Sequence, residues 1–201
     1  MSAIILWDTE TSSLPERSLS FDDPRQPHMM QLAAIQLDGE TLEETASFCV
    51  LVKPTEKYKV DPMAFKAHGI SWERADALGV PLHAALVLFA NLRHTAGEAV
   101  AHNISFDRTI TEIAFARLGK QPSKGWPPKM TCTCEGSADL VALPPTARML
   151  KAGIDKKYKT PNLTELHEFL FGEGFEGAHD ALADVRACAR CFVDMRKKGQ
   201  I

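Results

Sequence analysis

The sequence predicts an α/β domain: a mixed five-stranded sheet flanked by helices. Three observations lead there. An apolar run over residues 3–7 opens the chain and gives way to two acids. Two β-rich segments, Met29–Leu37 and residues 46–52, flank the turn dipeptide Asp38-Gly39 and should pair as antiparallel strands. After them, strand-like and helix-like segments alternate, as in a sheet covered by helices.

The elements follow in order. Residues 3–7 form a buried strand. Residues 14–28 hold Pro15, Pro24 and Pro27 and cannot be regular, so they form a loop long enough to face a substrate. A short helix over 61–67 ends at Gly69, and Ser71 caps the next. Pro81 opens a helix reaching about His94. Residues 98–101 are a short strand. Residues 105–118 are a helix with Phe106, Ile110, Ile113 and Ala114 at helical spacing, stopped by Gly119. A Pro- and Lys-rich stretch, 121–129, precedes a last strand at 130–134. Helices follow over 163–171, starting at Asn162 or Thr164, and over 180–196, where Leu182, Val185, Ala189 and Phe192 make the apolar stripe. With no repeat, low-complexity tract or linker, residues 1–201 are expected to be a single domain.

Composition narrows the class. Of 201 residues, 45% are hydrophobic and 24% charged, ordinary for a soluble protein. No apolar stretch is long enough to span a bilayer and no signal segment opens the chain, so the expected location is cytoplasmic, with no membrane partner. Five cysteines imply reduced thiols, with a zinc site from Cys132-x-Cys134 and Cys188-x-x-Cys191 as the alternative. Net charge is −3, yet residues 117–160 carry nine Lys/Arg against Glu135, Asp139 and Asp155, a local +6. Basicity beside an acidic pocket suits an enzyme acting on a polyanion, although a solvated Lys- and Pro-rich loop gives the same pattern.

The acids carry the chemistry. Asp8 and Glu10 stand two apart on a strand, so they share a face and repel. A divalent cation bound by oxygens would compensate them. The spacing alone is weak, since Asp38-x-Glu40 repeats it at a turn. Two further segments strengthen it. In His102-Asn-Ile-Ser-Phe-Asp107 the acid falls in the first turn of a helix, where dipole compensation alone could explain it. In His179-Asp-Ala-Leu-Ala-Asp184, Asp180 can cap a helix and Asp184 lies one turn further in, off the apolar stripe. Each segment puts an acid at the boundary of a regular element, where side chains converge on one edge of an α/β sheet. Four carboxylates and an imidazole can hold two hard cations about 3.5–4 Å apart, the arrangement of phosphodiester hydrolysis. A histidine titrates near neutrality and can take the proton of the attacking water. His102 and His179 both stand five residues before an acid, so spacing does not choose between them.

Trp7-Asp-Thr-Glu-Thr-Ser-Ser-Leu14, His102-Asn-Ile-Ser-Phe-Asp107 and His179-Asp-Ala-Leu-Ala-Asp184-Val resemble the three motifs of the DEDDh (DnaQ-like) 3′–5′ exonucleases. The resemblance runs from residue 4 to about 195, in motif order and approximate separation. It implies a ribonuclease-H-like fold and two divalent cations, Mg²⁺ or Mn²⁺. Asp8 would bridge them, Glu10, Asp107 and Asp184 would be the other ligands, and His179 the general base. Among substrate contacts it points to Thr11, Leu14, Asn103 and His68, the last within Ala67-His-Gly-Ile70; His68 as a plain helix terminus remains open.

Two positions depart from the family pattern: Ser13 stands where glycine is usual, and Gln31 where many members have Glu. The 14–28 loop, with Arg17 and Arg25, exceeds the minimal pattern and is placed to shape access of the strand.

The expected function is a metal-dependent 3′–5′ exonuclease that releases nucleoside 5′-monophosphates from the 3′ end of single-stranded DNA. Repair, proofreading and degradation are all open as settings. The alternatives are a 3′–5′ exoribonuclease trimming RNA ends and an inactive nucleic-acid-binding module. Only seventeen residues follow Asp184, so a C-terminal polymerase tether is not expected, which favours a free-standing nuclease or one docked through its globular surface.

Overall fold

Strand β1 (Ala3–Thr11) is the axis on which the site is built. It pairs antiparallel with β2 (Met29–Leu37), which pairs antiparallel with β3 (Glu44–Lys53). On its other side β1 runs parallel to β5 (Ala96–Ala101), and β5 to β6 (Lys129–Cys132). With β4 (Val80–Pro81) the sheet order is β4-β3-β2-β1-β5-β6. The structure is a computed structural model that describes residues 2–120 and 125–201. Lys124 of the basic window and the first residues of the 121–129 stretch lie outside the described residues.

The sheet therefore has six strands, not the five expected. The extra strand is a two-residue pairing of Val80 and Pro81 with Val52 and Lys53. Two residues leave no periodicity to detect, and a proline is tolerated there because the strand is at the edge. Pro81 also does what was expected of it: it is the N-cap of α3 (Leu82–His94).

Local chemistry sets most helix ends. Asp61 caps α1 (Pro62–His68) and Gly69 ends it in the left-handed region; Ser71 caps α2 (Trp72–Leu78). Helix α4 spans Ile104–Arg117. Three short helices, α5 (Thr133–Gly136), α6 (Ala138–Val141) and α7 (Ala147–Lys151), occupy a region with no helical expectation. They correct the strand expected over 130–134, which stops at Cys132. Each is too short to show a 3.6-residue pattern. A capping box between Asn162 and Glu165 starts α8 (Leu163–Phe171), and Asp180 caps α9 (Ala181–Lys197).

Alternation along β1 divides the core. Ile5 and Trp7 pack with Leu86, Phe89, Ile110 and Ile113 of α3 and α4. Ile4 and Leu6 pack on the opposite face with Val185, Cys188 and Phe192 of α9. Burying each such side chain contributes about 1.5–3 kcal/mol, which makes β1 a rigid support. At the far end of the molecule from the acids, buried Glu98 is held by Arg196 (2.6 and 2.8 Å) and by Thr131, tying β5, β6 and α9 together.

Candidate active site

The two faces of β1 reach two different helices, and that puts the acids together. Asp8 and Glu10 continue the series of Ile4 and Leu6, so they lie on the face covered by α9, whose first turn carries Asp184. Thr9 faces the other way, toward α4. Its backbone N–H and its hydroxyl both donate to Oδ1 of Asp107, at 2.9 and 2.8 Å. Thr9 is thus the residue that fixes the buried Asp107, and the motif spacing did not single it out. Only its parity, between two acids and pointing at α4, could have done so.

His179 sits just before α9 with φ 71°, a left-handed conformation costly for a non-glycine residue. Its backbone N–H donates to Asp184 Oδ2 at 3.0 Å, which folds the glycine-rich approach onto the first turn of the helix. Asp180 caps that turn by accepting from the N–H groups of Leu182 and Ala183. Gln31 Oε1 accepts from the Ala181 N–H and so fastens the same helix end to β2. Gln31 pairs directly with Glu10 across the strands, so this departure from the family pattern has a structural part to play.

Glu10, His179 and Asp184 each bring a ligand atom within 4.8 Å of the others, and this is the one such group of metal-binding side chains among the described residues. Asp8 and Asp107 adjoin it electrostatically. Burial and then repulsion from Asp107, Asp184, Glu10 and Asp180 hold Asp8 well above the usual carboxylate range. Burial, followed by Asp184, Asp107 and Asp180, pushes Glu10 up to about 8. Asp107 rises to about 7 through burial, opposed by the two Thr9 bonds, and Asp184 to about 6 through burial, opposed by His179. The charges acting on Asp8 and Glu10 are acidic. Four crowded carboxylates, with only His179 beside Asp184 to offset them, fit a divalent metal.

The other histidine is accounted for differently. His102 is inserted between Thr133 Oγ1 (3.0 Å) and the Pro161 carbonyl (3.1 Å), and burial lowers it to about 4. It braces β5 against the segment before α8 and lies outside the acidic group. The cysteines form no metal group among the described residues: Cys188 packs against β1, whereas Cys191 lies in a separate cluster with Leu166 and Met195.

A cleft of roughly 630 Å³ opens beside Glu10, walled by Thr11, Leu14, Met63, His68 and Phe106. Leu14 and Met63 are 79% and 73% exposed, an apolar wall left uncovered next to charge. His68 takes the Ile70 N–H on Nδ1, which leaves the Nε2 proton to donate to the Thr11 carbonyl at 3.1 Å. It clamps the end of β1 and also lines the cleft. Ser13 lies outside the left-handed region, so the turn past the cleft does not need the usual glycine. Asn103, φ 66° at the N-cap of α4, lies on the far side of Phe106 in an adjoining groove. In the basic window, Arg117, Lys129 and Lys159 are engaged by Glu56, Glu98 and Glu165. No described helix is long and apolar enough to cross a membrane.

Residues 5–192 match the exonuclease family represented by RNase T. The chain belongs to that family. Its motifs are those of the DnaQ-like 3′–5′ exonucleases, and its fold is ribonuclease-H-like. Among solved structures, E. coli exonuclease I in complex with a dT13 oligonucleotide superposes with a TM-score of 0.75 at 22% identity, over 100% of this chain and 42% of that one. Exonuclease I from Methylocaldum szegediense gives 0.72 at 22% identity, over 98% and 41%. The zinc-bound form of the E. coli enzyme with single-stranded DNA gives 0.74 at 20%, over 98% and 41%. The chain thus spans less than half the length of these proteins. No curated protein matches it by sequence.

Proposed function

We propose that residues 1–201 form one metal-dependent 3′–5′ exonuclease domain that removes nucleoside 5′-monophosphates from the 3′ end of single-stranded DNA. The observation that carries this reading is the convergence of Glu10, His179 and Asp184 within 4.8 Å, beside the unneutralised Asp8 and Asp107. Two Mg²⁺ or Mn²⁺ ions fit this oxygen-rich donor set, and Asp8, Glu10, Asp107 and Asp184 would hold them. When bound, they supply activation of water and stabilisation of the attacking and leaving oxygens.

The chain's own residues do the rest. His179, exposed at the mouth of the acidic group, takes the proton from the attacking water. Thr9 keeps Asp107 in one orientation, so its other oxygen stays free. The apolar wall of Leu14, Met63 and Phe106 offers bases a surface to stack on, which is tolerant of sequence. The deoxyoligonucleotides bound by the exonuclease I structures support DNA as the substrate.

The test is a labelled DNA or RNA strand incubated with Mg²⁺, Mn²⁺ or EDTA. Metal-dependent release of 3′ mononucleotides from single-stranded DNA is the expected result. No such release overturns the reading, and activity confined to RNA replaces it with exoribonuclease.

A further inference from the structure

A second groove, of roughly 470 Å³, lies between the 14–28 loop and the start of α4. Its size falls within the about 300–1,000 Å³ of ligand sites. Phe106 walls both this groove and the catalytic cleft, so the two are neighbours along one surface. We propose that this groove seats the nucleotide next to the one in the catalytic cleft, with Arg17 on its phosphodiester. The proposal rests on the exonuclease reading above and extends the substrate to a strand threaded past Phe106.

The two arginines of the loop separate cleanly. Arg25 is neutralised by Asp23 through two side-chain hydrogen bonds of 2.8 and 3.0 Å. Arg17 lines the groove and makes no hydrogen bond or ion pair among the described residues. The one acid in the lining, Glu16, accepts from the N–H and hydroxyl of Ser18. Across the groove, Asn103 Oδ1 accepts from the Ser105 hydroxyl, and its amide nitrogen has no acceptor among the described residues. A guanidinium and an amide donor therefore face one space, which suits a phosphodiester. Phe21, 39% exposed, and Phe106 give a base aromatic surface.

The loop is held in shape, although it has no regular structure. Gln26 is buried; its amide nitrogen donates to the carbonyls of Glu16, Leu19 and Ser20, and its oxygen accepts from the Glu16 N–H. Arg117 of α4 donates to the Gln26 and Pro24 carbonyls. Such bracing leaves little ordering cost for a strand that binds.

The experiment compares Arg17→Ala with Arg25→Ala in two assays. In the first, kcat/KM is measured with Mg²⁺ for a short oligothymidylate and for the p-nitrophenyl ester of thymidine 5′-monophosphate, which fills only the catalytic cleft. The ratio of the two should fall roughly two- to five-fold in Arg17→Ala, the size of one exposed ion pair, and hold in Arg25→Ala. In the second, the labelled strand is bound in EDTA while salt is varied. The slope of log affinity against log salt should drop by about 0.7 in Arg17→Ala, one phosphate contact on a single strand. An unaltered ratio and slope, or the same loss in both variants, overturns the proposal. A wild-type protein that hydrolyses neither substrate but keeps the Arg17-dependent salt slope overturns the exonuclease reading and leaves the groove standing.

Discussion

Glu10→Gln should make the metal-free protein more stable at alkaline pH. Glu10 is raised in the fold from 4.5 to about 8, chiefly by burial and then by Asp184, Asp107 and Asp180. A carboxyl raised in this way binds its proton more tightly folded than unfolded. Its contribution is therefore intact below about pH 4.5 and is lost as pH climbs toward 8. The difference corresponds to about 5 kcal/mol at most. Glu10 borders an open cleft, and solvent screening there reduces the effect to about 2 kcal/mol. For a chain of this length that is a Tm difference of about 4–8 °C. Thermal unfolding by circular dichroism in EDTA, across the range from pH 5 to 8, should show the wild type losing stability and the variant losing less. Added Mg²⁺ should restore the wild type far more than the variant. A wild type and variant whose Tm values follow the same course with pH in EDTA, or an equal Mg²⁺ effect on both proteins, refutes the reasoning.

His179→Ala should cut turnover by about 10²–10⁴ while strand binding persists, whereas His102→Ala should cost about 1–3 kcal/mol of stability by unpairing Thr133 and Pro161. Steady-state kinetics beside thermal melts would expose the opposite pattern. Thr9→Val removes one of the two bonds that favour ionised Asp107, so the acid limb of the pH–rate profile should move up by about 0.5–1 unit. An unmoved limb would mean that Asp107 is set by something else. Arg196→Ala strips both guanidinium bonds from buried Glu98 and should cost about 3 kcal/mol in urea melts, with Lys129 and Thr131 limiting the damage.

The sequence was most legible where one local rule governs. Gly69, Ser71, Asn162 and Asp180 end or start helices because each satisfies backbone groups within a turn of itself. The hairpin about Asp38-Gly39 follows from turn chemistry, and the family motifs are contiguous stretches of at most nine residues. Elements too short for periodicity were hidden: the Val80–Pro81 edge pairing and the helices of 133–151 have no repeat to detect.

The sequence by itself singled out Asp8, Glu10, Asp107, Asp184 and a histidine as one candidate constellation. Spacing could not choose between His102 and His179, because both precede an acid by five residues; the glycine-rich approach and the family resemblance favoured His179. Tertiary structure separates them: His102 is consumed by Thr133 and Pro161, and His179 is delivered to Glu10 and Asp184. It likewise separated Arg25, closed by Asp23, from Arg17. The physical reason is the same in each case. Spacing along the chain fixes which face of an element a side chain takes, but whether that face meets a partner or open space depends on residues far away in sequence.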